Sequence, residues 1–221
     1  MMICAIIAAG GNSTRFGDDK LELRLKDKPV LAWSVKLLST HPQVQEVVVA
    51  CADIEKTKKL LHGHTGSNVS FVEGGDCRQK SVLNALKSLP DCDVVLIHDG
   101  ARPFASSDII DKLISEAKGY SCMIPVIPCT SAVKIIAGNE VSAHHMGKFN
   151  LAQTPQLVWR EPLAFAMEKY ASRLQDFPDE SSLVAEAGFH VGTVHGSPFN
   201  IKITYPDDLS LAQAIVAYLR K

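Results

Sequence analysis

The chain of 221 residues has no apolar run approaching the ~20 residues that a membrane-spanning helix needs. Its first residues carry neither the charged n-region nor the cleavage site of a signal peptide, so a cytoplasmic location is expected. Charge of one sign is also missing. The formal net charge is −1, so no basic surface announces nucleic acid or acidic lipid as a partner. The six cysteines (Cys4, Cys51, Cys77, Cys92, Cys122 and Cys129) contain no C-x-x-C pair, which argues against zinc or thioredoxin chemistry and predicts free thiols in a reducing compartment. His144 and His145 are adjacent rather than four apart, so they are not a helical metal pair. Neither G-x-x-x-x-G-K-[ST] nor G-x-G-x-x-G occurs, and there is no repeat or low-complexity segment.

What is present is an alternation. Residues 3–8 form an uninterrupted apolar run, the mark of a strand buried on both faces of a parallel sheet. Further runs at 47–51, 69–73, 94–97, 122–126 and 191–194 read as strands, and so do residues 201–203. Amphipathic or charged stretches between them predict helices at 29–38, 54–61, 81–89, 107–118, 161–172, 181–187 and 207–220. Pro29 suits a first helical position, and Gly188 suits a helix stop. Strands alternating with helices imply right-handed crossovers and a mostly parallel sheet. The rhythm breaks after Pro128, where residues 133–141 predict a hairpin turning at Gly138-Asn139. Such a hairpin is either an edge of the same sheet or a projecting arm, and an arm would be a natural dimer contact. The length suits one α/β domain, residues 1–221, with the arm at about 130–150.

Four stretches carry candidate chemistry. The first strand stops at Gly10-Gly11, followed by Asn12-Ser13-Thr14, Arg15 and Lys20. Glycines let a ligand approach the backbone, and cations beside a helix N-terminus favour an anion such as a polyphosphate. The second stretch is Gly74-Gly75-Asp76-Cys77-Arg78-Gln79-Lys80-Ser81, again between a strand and a helix. Asp76 and Ser81 can hydrogen-bond a base or ribose, and Arg78 or Lys80 can hold phosphate. In the third, Asp99 ends a buried strand inside His98-Asp99-Gly100-Ala101-Arg102-Pro103 and could offer an oxygen to Mg²⁺ on a triphosphate. Arg102 reads as a structural ion pair. In the fourth, Lys202 sits between Ile201 and Ile203 and calls for an anion unless it reaches solvent. In a parallel sheet the loops after the strands gather at the carboxyl edge, where ligands bind.

These motifs, with Gln153-Thr154-Pro155-Gln156 and Thr204-Tyr205-Pro206-Asp207-Asp208-Leu209, together resemble the 2-C-methyl-D-erythritol 4-phosphate cytidylyltransferase family from Ile3 to the last helix. The resemblance implies a Rossmann-like three-layer α/β sandwich of the nucleotide-diphospho-sugar transferase type with a projecting β-arm. It implies CTP held by Ala8, Ala9, Gly10, Gly11, Gly74, Asp76, Arg78 and Ser81, and catalysis by Arg15, Lys20 and Lys202. It further implies Asp99, Arg102 and Thr154 on the substrate side, Asp99 near Mg²⁺, and a homodimer through the arm. Several positions depart from the family pattern. Lys20 stands in Asp19-Lys20-Leu21, Ser131-Ala132 precedes the arm, Pro178 precedes the acids Asp179 and Glu180, and the arginine expected in the arm's return has no counterpart near Met146-Gly147-Lys148. Most of the changes fall on the acceptor side. The reaction that the resemblance implies is CMP transfer from CTP to 2-C-methyl-D-erythritol 4-phosphate with release of pyrophosphate. The alternatives are another polyol phosphate such as ribitol 5-phosphate as acceptor, another nucleotide as donor, or a non-catalytic nucleotide-binding homologue.

Overall fold

A computed structural model describes residues 1–10, 20–144 and 147–219. Its first strand, β1 (Ile3–Ala9), shows why the sequence folds as it does. Ile3, Ala5, Ile7 and Ala9 join one hydrophobic cluster and Cys4 and Ile6 the other. Side chains alternate across a strand, so a strand that is apolar at every position needs cover on both faces. The next elements are a short hairpin, β2 (Arg24–Leu25) with β3 (Lys28–Pro29), then α1 (Val30–Ser39), β4 (Val44–Cys51) and α2 (Ile54–Leu60). They are followed by β5 (Val69–Glu73), α3 (Arg78–Ser88), β6 (Val94–Asp99), α4 (Ser107–Glu116) and β7 (Cys122–Pro128). The rest of the chain gives β8 (Lys134–Ala137), β9 (Glu140–His144), β10 (Asn150–Ala152), β11 (Gln156–Trp159) and α5 (Arg160–Lys169). A 3₁₀ turn (Ala171–Asp176), α6 (Glu180–Glu186), β12 (Val191–His195) and α7 (Pro206–Leu219) complete it.

The main sheet has eight strands in the order β10-β7-β11-β6-β1-β4-β5, with β12 on the other side of β7. The pairs β4–β1, β1–β6, β4–β5 and β12–β7 are parallel, while β10 and β11 run antiparallel. Residues of α1, α4 and α7 cover one face, and those of α3, α5 and α6 the other. This is the mostly parallel, three-layer α/β fold expected. The pair β8–β9 forms its own two-stranded sheet, turning at Gly138 with φ +60°, and every one of its residues is exposed. The hairpin is thus an arm rather than an edge of the main sheet.

Three local expectations are corrected. Pro29 is the N-cap of α1 and belongs to β3, so the helix starts one residue later. The helix after the second glycine loop begins at Arg78, not Ser81, because Cys77 already has the extended backbone of a cap. Residues 201–203 form no strand. Among the described residues their backbone meets the body through Ile203 N to Ala101 O at 2.9 Å, while Asn200 anchors the segment through its side chain.

Candidate active site

The carboxyl ends of the central strands are brought level by register. Ala8 stands beside Ala50 on one side and Asp99 on the other, and Cys51 stands beside Glu73. The first two glycine-bearing stretches meet here. A Cβ added to Gly74 would lie 3.1 Å from Ser81 Oγ and 3.3 Å from Gly10 Cα, and one added to Gly10 would lie 3.1 Å from the same hydroxyl. The two backbones therefore touch, and only glycine permits that approach. Ser81 Oγ accepts from Gly75 N at 2.9 Å and donates to Cys77 O at 3.0 Å, fixing the second loop on the first turn of α3. Gly75 is required by packing, since a Cβ there would fall 2.4 Å from Lys80 Cβ.

Asp99 is the hub. It is 6% exposed, and three cations converge on it. Arg78 Nε donates to Oδ1 at 2.9 Å, Lys202 Nζ meets Oδ2 at 2.9 Å, and Arg102 Nε lies 3.5 Å from Oδ2. Burial by itself would raise the carboxyl; Arg78, then Lys202 and Arg102, outweigh it and hold it well below the usual carboxylate range. Arg78 also donates to Glu180 Oε1 at 2.6 Å. Glu180 is fully buried, and burial pushes its carboxyl upward against the pull of Arg78. Arg78 Nη2 and Glu180 Oε2 are buried without a hydrogen-bond partner among the described residues.

Beneath Asp99 lies a second layer. Asp99 N donates to Thr154 Oγ1 at 3.0 Å, and Thr154 Oγ1 sits 2.9 Å from His98 Nδ1. Nε2 lies 3.1 Å from Arg102 O, a carbonyl that can only accept, so Nε2 carries the imidazole proton and donates it there. In the neutral ring Nδ1 is then the acceptor, and the Thr154 hydroxyl donates to it. His98 is fully buried, and burial outweighs the attraction of Asp99 to bring its pKa down to about 4. It is a neutral strut.

Lys202 reaches Asp99 because its segment is fastened to the same loop. Asn200 Nδ2 donates to Thr154 O at 2.9 Å, and Arg102 Nη1 donates to Asn200 O at 2.8 Å. Gln153 Nε2 donates to Ser197 O at 2.8 Å. Ser34 Oγ of α1 donates to Gly100 O at 3.1 Å, holding the loop from the other face.

The expected residues thus sort by geometry. Ala8, Gly10, Gly74, Ser81, Asp99 and Lys202 gather at one edge of the sheet. Arg78 turns inward to Asp99 and Glu180 instead of outward. Arg102 makes the structural ion pair anticipated. Asp76 points to solvent and pairs with Lys80 at 2.7 Å. Thr154 is buried, its hydroxyl taken up by Asp99 N and His98. Ala9 ends β1. Lys20 precedes Leu21, whose carbonyl accepts from Leu31 N of α1, and Leu31 packs where a side chain on Gly100 would go. Gly11 and Arg15 lie outside the described residues. Glu180 and the strut role of His98 went unread in the sequence; the cue for Glu180 was an acid beside a helix cap, ambiguous by itself.

Asp99 was expected near Mg²⁺. Its carboxylate already faces three cations, and among the described residues no group of three His, Cys, Asp or Glu side chains could hold a metal ion. One carboxylate so occupied does not fit an ion retained by the protein alone.

The model of a family described as IspD, 2-C-methyl-D-erythritol 4-phosphate cytidylyltransferase, matches residues 3–218. A curated relative of that name from Alkaliphilus oremlandii is 34% identical, covering 98% of this chain and 95% of its own. One from Dictyoglomus thermophilum is 35% identical, covering 97% and 96%. A bifunctional IspD/IspF enzyme from Desulfotalea psychrophila is 34% identical over 94% of this chain, which spans only 55% of that longer protein. Among solved structures, 2-C-methyl-D-erythritol 4-phosphate cytidylyltransferase from Francisella tularensis superposes with TM-score 0.85 at 29% identity, covering 97% of this chain and 100% of its own.

Proposed function

The chain belongs to the 2-C-methyl-D-erythritol 4-phosphate cytidylyltransferase family, and from that premise we propose that it transfers CMP from CTP to 2-C-methyl-D-erythritol 4-phosphate. The products are 4-diphosphocytidyl-2-C-methyl-D-erythritol and pyrophosphate, a step of isoprenoid biosynthesis. Within the molecule, the observation that carries this reading is the convergence of Arg78, Arg102 and Lys202 on Asp99 at the edge where two glycine stretches touch.

The chemistry follows from that arrangement. A phosphate oxygen of the acceptor attacks the α-phosphorus of CTP in line, and pyrophosphate leaves. The attacking phosphate is already ionised at neutral pH, so no general base is needed. Catalysis is positioning plus neutralisation of growing charge. The nucleotide lies against the edge where Gly10 and Gly74 touch, with Ala8, Ala9, Asp76 and Ser81 beside it. Lys202, held by Asp99, meets the charge gathering at the α-phosphorus, and Arg15 and Lys20 meet the triphosphate. Arg78 and Arg102 fix the Asp99 carboxylate. Mg²⁺ enters as part of the substrate, already bound to the triphosphate oxygens.

We also read the chain as one catalytic domain acting in the cytoplasm as a homodimer. Ile135, Ile136 and Val141 are exposed on a two-stranded ribbon, and such a ribbon is marginal by itself in water. A second copy covering it would supply the missing contacts.

The test is pyrophosphate release by the purified protein with each of the four nucleoside triphosphates, against 2-C-methyl-D-erythritol 4-phosphate and ribitol 5-phosphate. The highest kcat/KM is expected for CTP with the methylerythritol acceptor. A preference for ribitol 5-phosphate would replace the acceptor, and CTP binding without release from any acceptor would remove the enzyme reading.

A further inference from the structure

Arg78 leaves one nitrogen unused. Its Nε donates to Asp99 Oδ1 at 2.9 Å and its Nη1 to Glu180 Oε1 at 2.6 Å, while Nη2 is buried without a hydrogen-bond partner among the described residues. Nε and Nη2 form an edge with which a guanidinium can take both oxygens of a carboxylate. Asp99 receives only half of that fork. Its second oxygen, Oδ2, faces Lys202 Nζ at 2.9 Å and Arg102 Nε at 3.5 Å instead.

Glu180 accounts for the missing half, because it bonds the other corner of the guanidinium and is itself fastened. It is fully buried in the first turn of α6, whose cap, Asp179, accepts from Ser182 N at 2.9 Å. Gln156 of β11 pins that turn to the sheet, its Nε2 donating to Asp179 Oδ2 at 3.0 Å and its Oε1 accepting from Ser181 N at 3.0 Å. Gln79 Nε2 donates to Phe177 O at 3.3 Å, so the approach to α6 is tied to the first turn of α3 as well. The Glu180 carboxylate is thus a fixed point, and Arg78 is held between it and Asp99.

We propose that Glu180 is a positioning residue for Lys202: by holding Arg78 to one oxygen of Asp99, it reserves the other for the ammonium. The charges agree. Three cations, Arg78, Arg102 and Lys202, share two carboxylates, Asp99 and Glu180, and Lys202 is the most exposed of the three. One positive charge is left over, on the side that solvent reaches. Without the Glu180 charge, Arg78 can close its fork on Asp99, and Lys202 loses its seat. The placing of Lys202 can be read without turnover; the consequence for turnover rests on cytidylyl transfer.

Brief acetylation with acetic anhydride, followed by tryptic mapping in a mass spectrometer, measures how firmly each lysine is held. Glu180→Gln keeps the shape and removes the charge. In it Lys202 should acetylate roughly threefold faster, the worth of a partly exposed ion pair, while Lys80 in the first turn of α3 keeps its native rate. Glu180→Asp keeps the charge but draws it back by one methylene, so its Lys202 should fall between the two. This variant carries the test if circular dichroism shows Glu180→Gln unfolded. In pyrophosphate release, Glu180→Gln should lower kcat about tenfold with the KM for CTP within about twofold of native. In a Lys202→Ala background, Glu180→Gln should cost nothing further.

Lys202 at its native rate in the folded Glu180 variants overturns the proposal. So does a rise shared by Lys80, which would mean that α3 had loosened as a whole. Losses of kcat that multiply in the double variant overturn it too. A native protein that releases no pyrophosphate from CTP would remove the cytidylyl-transfer reading and leave the acetylation result to decide the role of Glu180.

Discussion

Lys202 Nζ lies 2.9 Å from Asp99 Oδ2, although one residue belongs to no regular element and the other closes a central strand. The lysine side chain is 36% exposed while its partner is buried. Its ammonium is therefore positioned by the protein, on a side chain that solvent still reaches. In the role proposed for it, a long flexible stem held in place before substrate arrives would lower the ordering cost at the reacting step.

Lys202→Ala should lower kcat by roughly 10²–10³, the cost of losing a donor aimed at developing charge. Pyrophosphate release at saturating CTP and acceptor measures it, and urea unfolding should change less than for Asp99→Asn, because Arg78 and Arg102 still face the carboxylate. A kcat within tenfold of native would mean that this ammonium is not at the reacting phosphorus.

Asp99→Asn should behave differently. It leaves Arg78, Arg102 and Lys202 without their shared counter-ion in a buried place, a loss of about 3–5 kcal/mol for a broken buried pair. Both the urea midpoint and the turnover should fall. Turnover lost at native stability would show that the carboxylate does not hold the cations.

His98 sets a pH dependence. Its pKa falls from 6.5 to about 4 on folding, so the unfolded chain binds the extra proton throughout that window. Stability is therefore fully present above pH 6.5 and declines as pH drops toward 4, by about 3 kcal/mol for this group. Urea titrations at pH 7 and pH 4.5 should show the decline, and it should be flatter in His98→Gln. An equal slope in both proteins would mean that His98 is not the titrating group.

Gly74→Ala places a Cβ 3.3 Å from Gly10 Cα and 3.1 Å from Ser81 Oγ, so one backbone must retreat. The KM for CTP should rise about tenfold, equivalent to ~1.4 kcal/mol. The Ser81→Ala background should recover only part of it, because the Gly10 contact remains. Steady-state kinetics with CTP varied would decide; an unchanged KM separates this contact from the nucleotide.

Ile136 and Val141 are register partners on the arm and share one face. Ile136→Asp with Val141→Asp should turn a dimer into a monomer by light scattering coupled to size exclusion, with secondary structure retained. A dimer that survives the double substitution would not be built on that face.

The sequence makes the sheet legible because strands covered on both faces must be apolar throughout, as residues 94–97 and 47–51 are. It makes Asp99 legible because an acid ending such a strand lies at the ligand edge. It could not show that Arg78 turns inward, since Glu180 meets it from 102 positions away and either residue reads locally as an ordinary helix start. Residues 201–203 failed as a strand for a related reason. Their alternation is right, but Asn200 and Arg102 tie them to a loop instead of a ladder. The β2–β3 hairpin is two residues a side, too short to leave a period.

The arm has one more consequence, which lies in its roots. Asn150 pairs with Pro128, and Cys129 N donates to Phe149 O at 2.9 Å, so both legs of the ribbon are clamped together at β7. The returning leg then runs through β10 to Thr154, the peg on which the Asp99 amide rests. The foot of the ribbon and the seat of the hub carboxylate are therefore one continuous piece of chain, with Thr154 only two residues past the end of β10.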